Sequence, residues 1–184
     1  MTSKQSVPTA QAVGMVQMLI DEVAAQPGLA LGQAFSLARG RMAARPGPPE
    51  VGGALEDLGL TLTGSTDNLE APLYGNVFLA MAGALQGADT VDRENFGEAL
   101  TAGLDSVQTV GDTSPARRQL IDTLIAARNA YREAAQDGQP FAVCLDRMVA
   151  ASQTVSQLDD APASRTLPAL ILQTMARSLQ GALN

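Results

Sequence analysis

Proline and glycine cut this chain at short intervals, and almost every length between two cuts carries helical spacing. The cuts are Pro27-Gly28, the run 45–49 with its three prolines, the loop-forming residues 64–68, Pro115, Gly138 with Pro140, and the polar stretch 158–164. Between them lie eight segments read as helices: 9–25, 29–44, 50–63, 72–85, 92–106, 115–136, one opening at 138–140, and one opening at 166–168. In the first, Val13, Val16, Met18, Leu19 and Val23 recur at the spacing of one helix face. Pro72 and Pro115 suit a first helical turn, where the missing N–H has no partner to lose. Asp92 and Ser114 are read as N-caps. No segment reads as a strand. Short connections make neighbouring helices antiparallel, so the expected fold is an all-α, up-and-down bundle or barrel, with residues 1–184 as one domain.

Composition agrees. Hydrophobic residues make up 46% of the chain, but aromatics only 3% and Trp is absent, so Ala, Leu, Val and Met must fill the interior. Closely packed helices suit that set better than a sandwich. Met15, Met18, Met42, Met81, Met148 and Met175 are read as core filling. Cys144, the single cysteine, sits in an apolar run and reads as a small core residue. With no histidine there is no Ser-His-Asp triad, Cys-His pair or His-ligated metal within the chain. A net charge of -7 argues against nucleic acid and anionic membrane surfaces as partners. The N-terminal residues do not read as a secretory signal, and no apolar run approaches the ~20 residues of a membrane span. The expectation is a soluble, cytoplasmic protein.

One stretch carries a family likeness. In residues 59–75, Gly59, Thr61, Leu62, Ser65, Pro72, Leu73 and Gly75 keep the spacing of a signature segment of the DhaL family, the nucleotide-binding L subunit of dihydroxyacetone kinases, and Tyr74 stands for its aromatic. The correspondence extends downstream to Gly111 and residues 115–122, and upstream to Gly28, Leu29, Phe35 and Ser36. The chain resembles that family over nearly its whole length. The resemblance implies a barrel of eight antiparallel helices with ADP or ATP caged at one end, two magnesium ions held by aspartates, and a separate DhaK subunit that binds dihydroxyacetone. It marks Gly28, Gly59, Ser65, Gly111, Leu120 and Pro168 as vestigial nucleotide-site positions.

The chemistry of that site is incompletely represented. Phosphoryl transfer needs charge neutralisation by carboxylate-held metal and close backbone approach to the phosphates. Where the resemblance puts metal aspartates, this sequence has Ala24 and Gln26, with Leu19 near the third position; Asp21 and Glu22 are the nearest acids. Where it puts a glycine-rich phosphate loop, residues 67–71 contain no glycine and two acids, Asp67 and Glu70. The lid before the last helix is shortened and ends at Leu167, Pro168 and Ala169 without the family's Asp and Gly. Arg117 and Arg118 replace part of a turn at the phosphates and read as solvated.

The reading is a non-catalytic DhaL-like protein acting through protein–protein contact, with a DhaK-like subunit or a second copy of itself as partner. No catalytic residue, metal ligand or cofactor is expected. The first alternative is an active ADP- or ATP-dependent phosphotransferase subunit; the second is a binder of a small ligand in the barrel cavity. Asp57 and Asp146 are read as solvated, Asp122 as a cap or a partner of Arg118, and Arg39, Arg41 and Arg45 as a solubilising cluster.

Overall fold

The computed structural model describes residues 4–26, 29–108, 114–157 and 167–184. A short strand β1 (Ser6–Pro8) leads into helices α1 (Thr9–Ala24), α2 (Leu31–Ala44), α3 (Val51–Thr63) and α4 (Ala71–Leu85). A second strand, β2 (Thr90–Asp92), is followed by α5 (Arg93–Gln108), α6 (Pro115–Gln136), α7 (Phe141–Gln157) and α8 (Leu167–Leu183). Each helix packs on the next, and α8 returns to α1, so the helices close a ring. Because neighbours are antiparallel, α1, α3, α5 and α7 end where α2, α4, α6 and α8 begin. We call this the upper end. No described helix is long and apolar enough to cross a membrane.

The helix limits lie where the breakers put them. Asp92 Oδ1 accepts from the backbone N–H of Glu94 (3.0 Å) and Asn95 (2.9 Å), while Asn95 Oδ1 accepts from Asp92 N–H at 2.9 Å. This reciprocal pairing satisfies donors at the start of α5. Ser114 Oγ accepts from Arg117 N–H at 3.3 Å and Pro115 takes the first turn of α6. The two strands are a correction to the all-helical expectation in detail: Ser6–Pro8 pairs antiparallel with Thr90–Asp92, setting buried Val7 opposite buried Val91. Three residues are too few to show alternation, and their partners lie too far apart in sequence to be matched by pattern.

The interior is one apolar cluster drawing on all eight helices. Met15, Met81, Met148 and Met175 are buried within it, Met18 and Met42 half-buried. Cys144 is fully buried, and that burial holds its thiol pKa above the usual range. The scarce aromatics gather in two places: Phe35 against Phe78 edge-on, centroids 5.9 Å apart, and Phe96 against both Tyr131 (5.7 Å) and Phe141 (5.9 Å).

The most extensive helix contact, α3 on α4, depends on two glycines. A Cβ on Gly75 would stand 2.8 Å from Thr63 N and 2.9 Å from Gly59 O; one on Gly59 would stand 2.6 Å from Leu79 Cγ and 3.0 Å from Gly75 O. Only hydrogen fits at either position, so the likeness at Gly59 and Gly75 has a packing cause.

Candidate functional site

The upper end is where the resemblance places a nucleotide, and its side chains build up as follows. α1 brings Asp21 and Glu22 there on its last turn. Asp21 pairs with Arg39 of α2, and Glu22 accepts from Arg177 of α8 at 3.0 Å. Leu19 is buried in the core, Ala24 is exposed, and the Gln26 amide donates to Glu22 O at 3.3 Å. Both acids are thus engaged by guanidinium groups. Among the described residues no three of His, Cys, Asp and Glu converge on a point. A magnesium ion keeps several waters but needs carboxylate oxygens in near-octahedral geometry, so these residues do not fit a pair of such ions.

Between α3 and α4, residues 64–70 form a loop anchored at both ends. Gly64 and Ser65 N–H donate to Leu60 O and Leu62 O, and Asn68 Oδ1 accepts from Glu70 N–H (2.8 Å) and Ala71 N–H (3.2 Å). Asn68 therefore takes the N–H groups at the start of α4, which a glycine-rich loop would present to phosphate. Asp67 and half-buried Glu70 flank Leu69, which is 98% exposed. At the opposite side Arg117 reaches back to Val107 O at the end of α5, so it is a tie between helices; Arg118 is exposed.

Inside the upper half, Leu120 of α6 and Pro168 of α8 line one apolar cavity with Tyr74, Phe78, Met81 and Met175. Burial, with Glu70 nearby, pushes the Tyr74 phenol far above its ordinary pKa. The cavity holds about 20 Å³, room for about one water. Of the marked positions, Leu120 and Pro168 come together here, Ser65 lies half-buried at the start of the α3–α4 loop, and Gly59 is turned into the α4 contact. Gly28 and Gly111 lie outside the described residues.

Two readings of charged residues change. Asp57, expected to be solvated, is 4% exposed, and Arg45 chelates it from Nε (2.9 Å) and Nη2 (3.2 Å), with Nη2 also 2.9 Å from Glu56. These bonds raise the Arg45 pKa further. The guanidinium lies across α3 where a Cβ on Gly53 would meet Arg45 Cδ and Cζ at 3.1 Å. The signal was present as a glycine one turn before Asp57, beneath a proline-held arginine. Asp146 is exposed as expected and accepts from the Gln180 amide at 2.6 Å. Asp122 is exposed, without an ion pair to Arg118 among the described residues.

Comparison with known proteins adds a family. The DAK2 domain model matches residues 14–161. The chain is 23% identical over 108 residues to the ADP-binding subunit DhaL of the PEP-dependent dihydroxyacetone kinase of Escherichia coli strain K12, covering 59% of this chain and 51% of that protein. It is 26% identical over 86 residues to the ADP-binding subunit DhaL of PEP-dependent dihydroxyacetone kinase 1 of Listeria innocua, covering 47% and 43%. The aligned parts span about half the length of these curated relatives or less. Both are ADP-binding subunits, which overturns the expectation that no cofactor belongs with a chain of this kind. That expectation counted phosphate and metal contacts only. It gave no weight to apolar lining such as that formed by Leu120 and Pro168.

Proposed function

Because the chain belongs to the DAK2 domain family, we propose that it works in the cytoplasm as a DhaL-like subunit in contact with a DhaK-like partner and carries out no phosphoryl transfer of its own. The observation behind this is the pairing of Asp21 with Arg39 and of Glu22 with Arg177, with no carboxylate cluster among the described residues. A transferring phosphoryl group spreads negative charge that metal or cationic groups must meet. Here the arginines nearest to the α1 acids are already neutralised by those acids. Leu69 supports the partner contact: a fully exposed leucine on an anchored loop at the upper end offers apolar area that only another surface can cover.

ADP enters this reading as a ligand held by its base and not by its phosphates. Leu120, Pro168 and Tyr74 form the apolar wall, and Met81 and Met175 are the flexible side chains that must shift to admit a purine. Asp67 and Glu70 lie in the loop where the resemblance puts the phosphates and would meet them with like charge; at ~4 Å such a pair costs about 1 kcal/mol in water and about 4 near a protein surface.

The test is reconstitution with a purified DhaK-type subunit already shown to be active with another L subunit. Sedimentation should show a complex that Leu69→Asp weakens at least tenfold, and dihydroxyacetone phosphorylation should stay at background. Turnover at a normal kinase rate ends the non-catalytic reading, and absence of any complex ends the partner reading.

A further inference from the structure

Between the Asp21–Arg39 pair of the upper end and the proline-rich connection 45–50, α1, α2 and the first half of α3 border a second, half-open cavity. It measures about 500 Å³, within the range of small-molecule sites. Its apolar walls are Val13 and Ile20 of α1, Met42 of α2, Pro48 and Pro49 of the connection, and Ala54 of α3. Arg39 and Arg45 both line it, and each is fixed along one edge by a carboxylate: Arg39 by Asp21, Arg45 by Asp57 and Glu56. The Arg45 anchor is rigid, because Asp57 is buried and Gly53 leaves space for the guanidinium beneath the loop.

The unused valences indicate what such a cavity would select. Arg45 donates from Nε and Nη2 only, and Arg39 from Nη2 only, so the Nη1 groups of both carry N–H donors with no acceptor among the described residues. Their positive charge, however, is already matched by Asp21 and Asp57, and Glu50 in the lining and Glu56 on Arg45 add further negative charge. Donor capacity without net positive charge disfavours an anion. Both oxygens of Asp57, the one buried carboxylate among the described residues, are taken by Arg45, which leaves a cation only rim carboxylates to meet. We propose that this cavity is a binding site for an uncharged molecule with an apolar body and a hydrogen-bond acceptor, such as an amide, ketone or ester.

Three probes of one shape and different charge test it: benzamide, benzoate and benzylammonium, each titrated into the intact chain and followed by amide chemical shifts. Benzamide should move the resonances of Met42, Gly47, Gly53 and Ala54 and saturate in the low millimolar range, at least tenfold below either charged probe. Ala54→Phe puts a ring into the cavity beside the Arg45 guanidinium and should weaken benzamide at least tenfold. Because Ala54 is buried, Arg39→Ala on the exposed rim is the second variant, expected to keep the fold and weaken benzamide at least threefold. The proposal fails if benzamide moves none of these residues, if its shifts map to Leu120 and Met175 instead, if either charged probe binds as well, or if a folded Arg39→Ala binds benzamide unchanged.

Discussion

Within residues 59–75, the two ends and the middle behave differently. At the ends, Gly59 and Gly75 bring the backbones of α3 and α4 into contact, with no room for a methyl group on either. In the middle, Asn68 takes the first N–H groups of α4 for itself, Asp67 and Glu70 add negative charge, and Leu69 points into solvent. On the proposed reading, the segment keeps what its helix contacts need and has lost what a phosphate would need. A scaffold and its chemistry can part company inside one short segment, because packing is set by volume and catalysis by particular polar atoms.

That contrast can be broken first at its packing end. Gly75→Ala should destabilise the fold by about 3 kcal/mol in urea unfolding, since its methyl would press on backbone atoms of α3 that cannot yield separately. A cost below about 1 kcal/mol would mean that the two helices part freely, and the packing explanation of the likeness would fall. Next comes the ion pair between buried Asp57 and the more exposed Arg45. Arg45→Ala strands the Asp57 carboxylate in the interior and should cost about 2 kcal/mol, more than Asp57→Ala, which leaves an arginine still able to reach water. The reverse order would show that water reaches the Asp57 carboxylate once Arg45 is gone. In the loop, Asn68→Ala removes the acceptor for Glu70 and Ala71 N–H and should cost about 1 kcal/mol. Equal stability would reopen that loop as a free anion cradle.

The titrating groups give a smaller, pH-dependent effect. Burial raises the phenol pKa of both Tyr74 and Tyr131, and the Tyr131 hydroxyl donates to Arg93 O at 2.7 Å. A phenol whose folded pKa lies above its unfolded value stabilises the fold below about pH 10, the unfolded value, and that contribution is lost as pH rises toward the folded value. Absorbance at 295 nm should therefore show tyrosine ionising together with unfolding above about pH 10. Smooth ionisation of a chain that stays folded would contradict the burial.

Much of the fold was legible because prolines, glycines and capping side chains mark the helix limits directly: Asp92, Ser114 and Pro115 act where the sequence puts them. β1 and β2 were not, since their pairing joins three residues with three others across four helices. The site was half legible. The expectation at Ala24 and Gln26 can be read in one dimension, but the pairing of Asp21 depends on how α2 packs back on α1, and that of Glu22 on an arginine of α8 that the ring closure brings near. Asp57 was misread because helical spacing alone does not reveal a helix buried on nearly every side, as α3 is from Val51 to Leu55 and again at Leu58, Gly59 and Leu62.

The most direct measurement is calorimetric titration of the chain with ADP, with and without magnesium. A retained scaffold without a metal bridge predicts weak, millimolar affinity that differs less than twofold between the two conditions. Micromolar affinity that appears only with magnesium would contradict it, and would place a functioning metal-bridged phosphate site at the upper end.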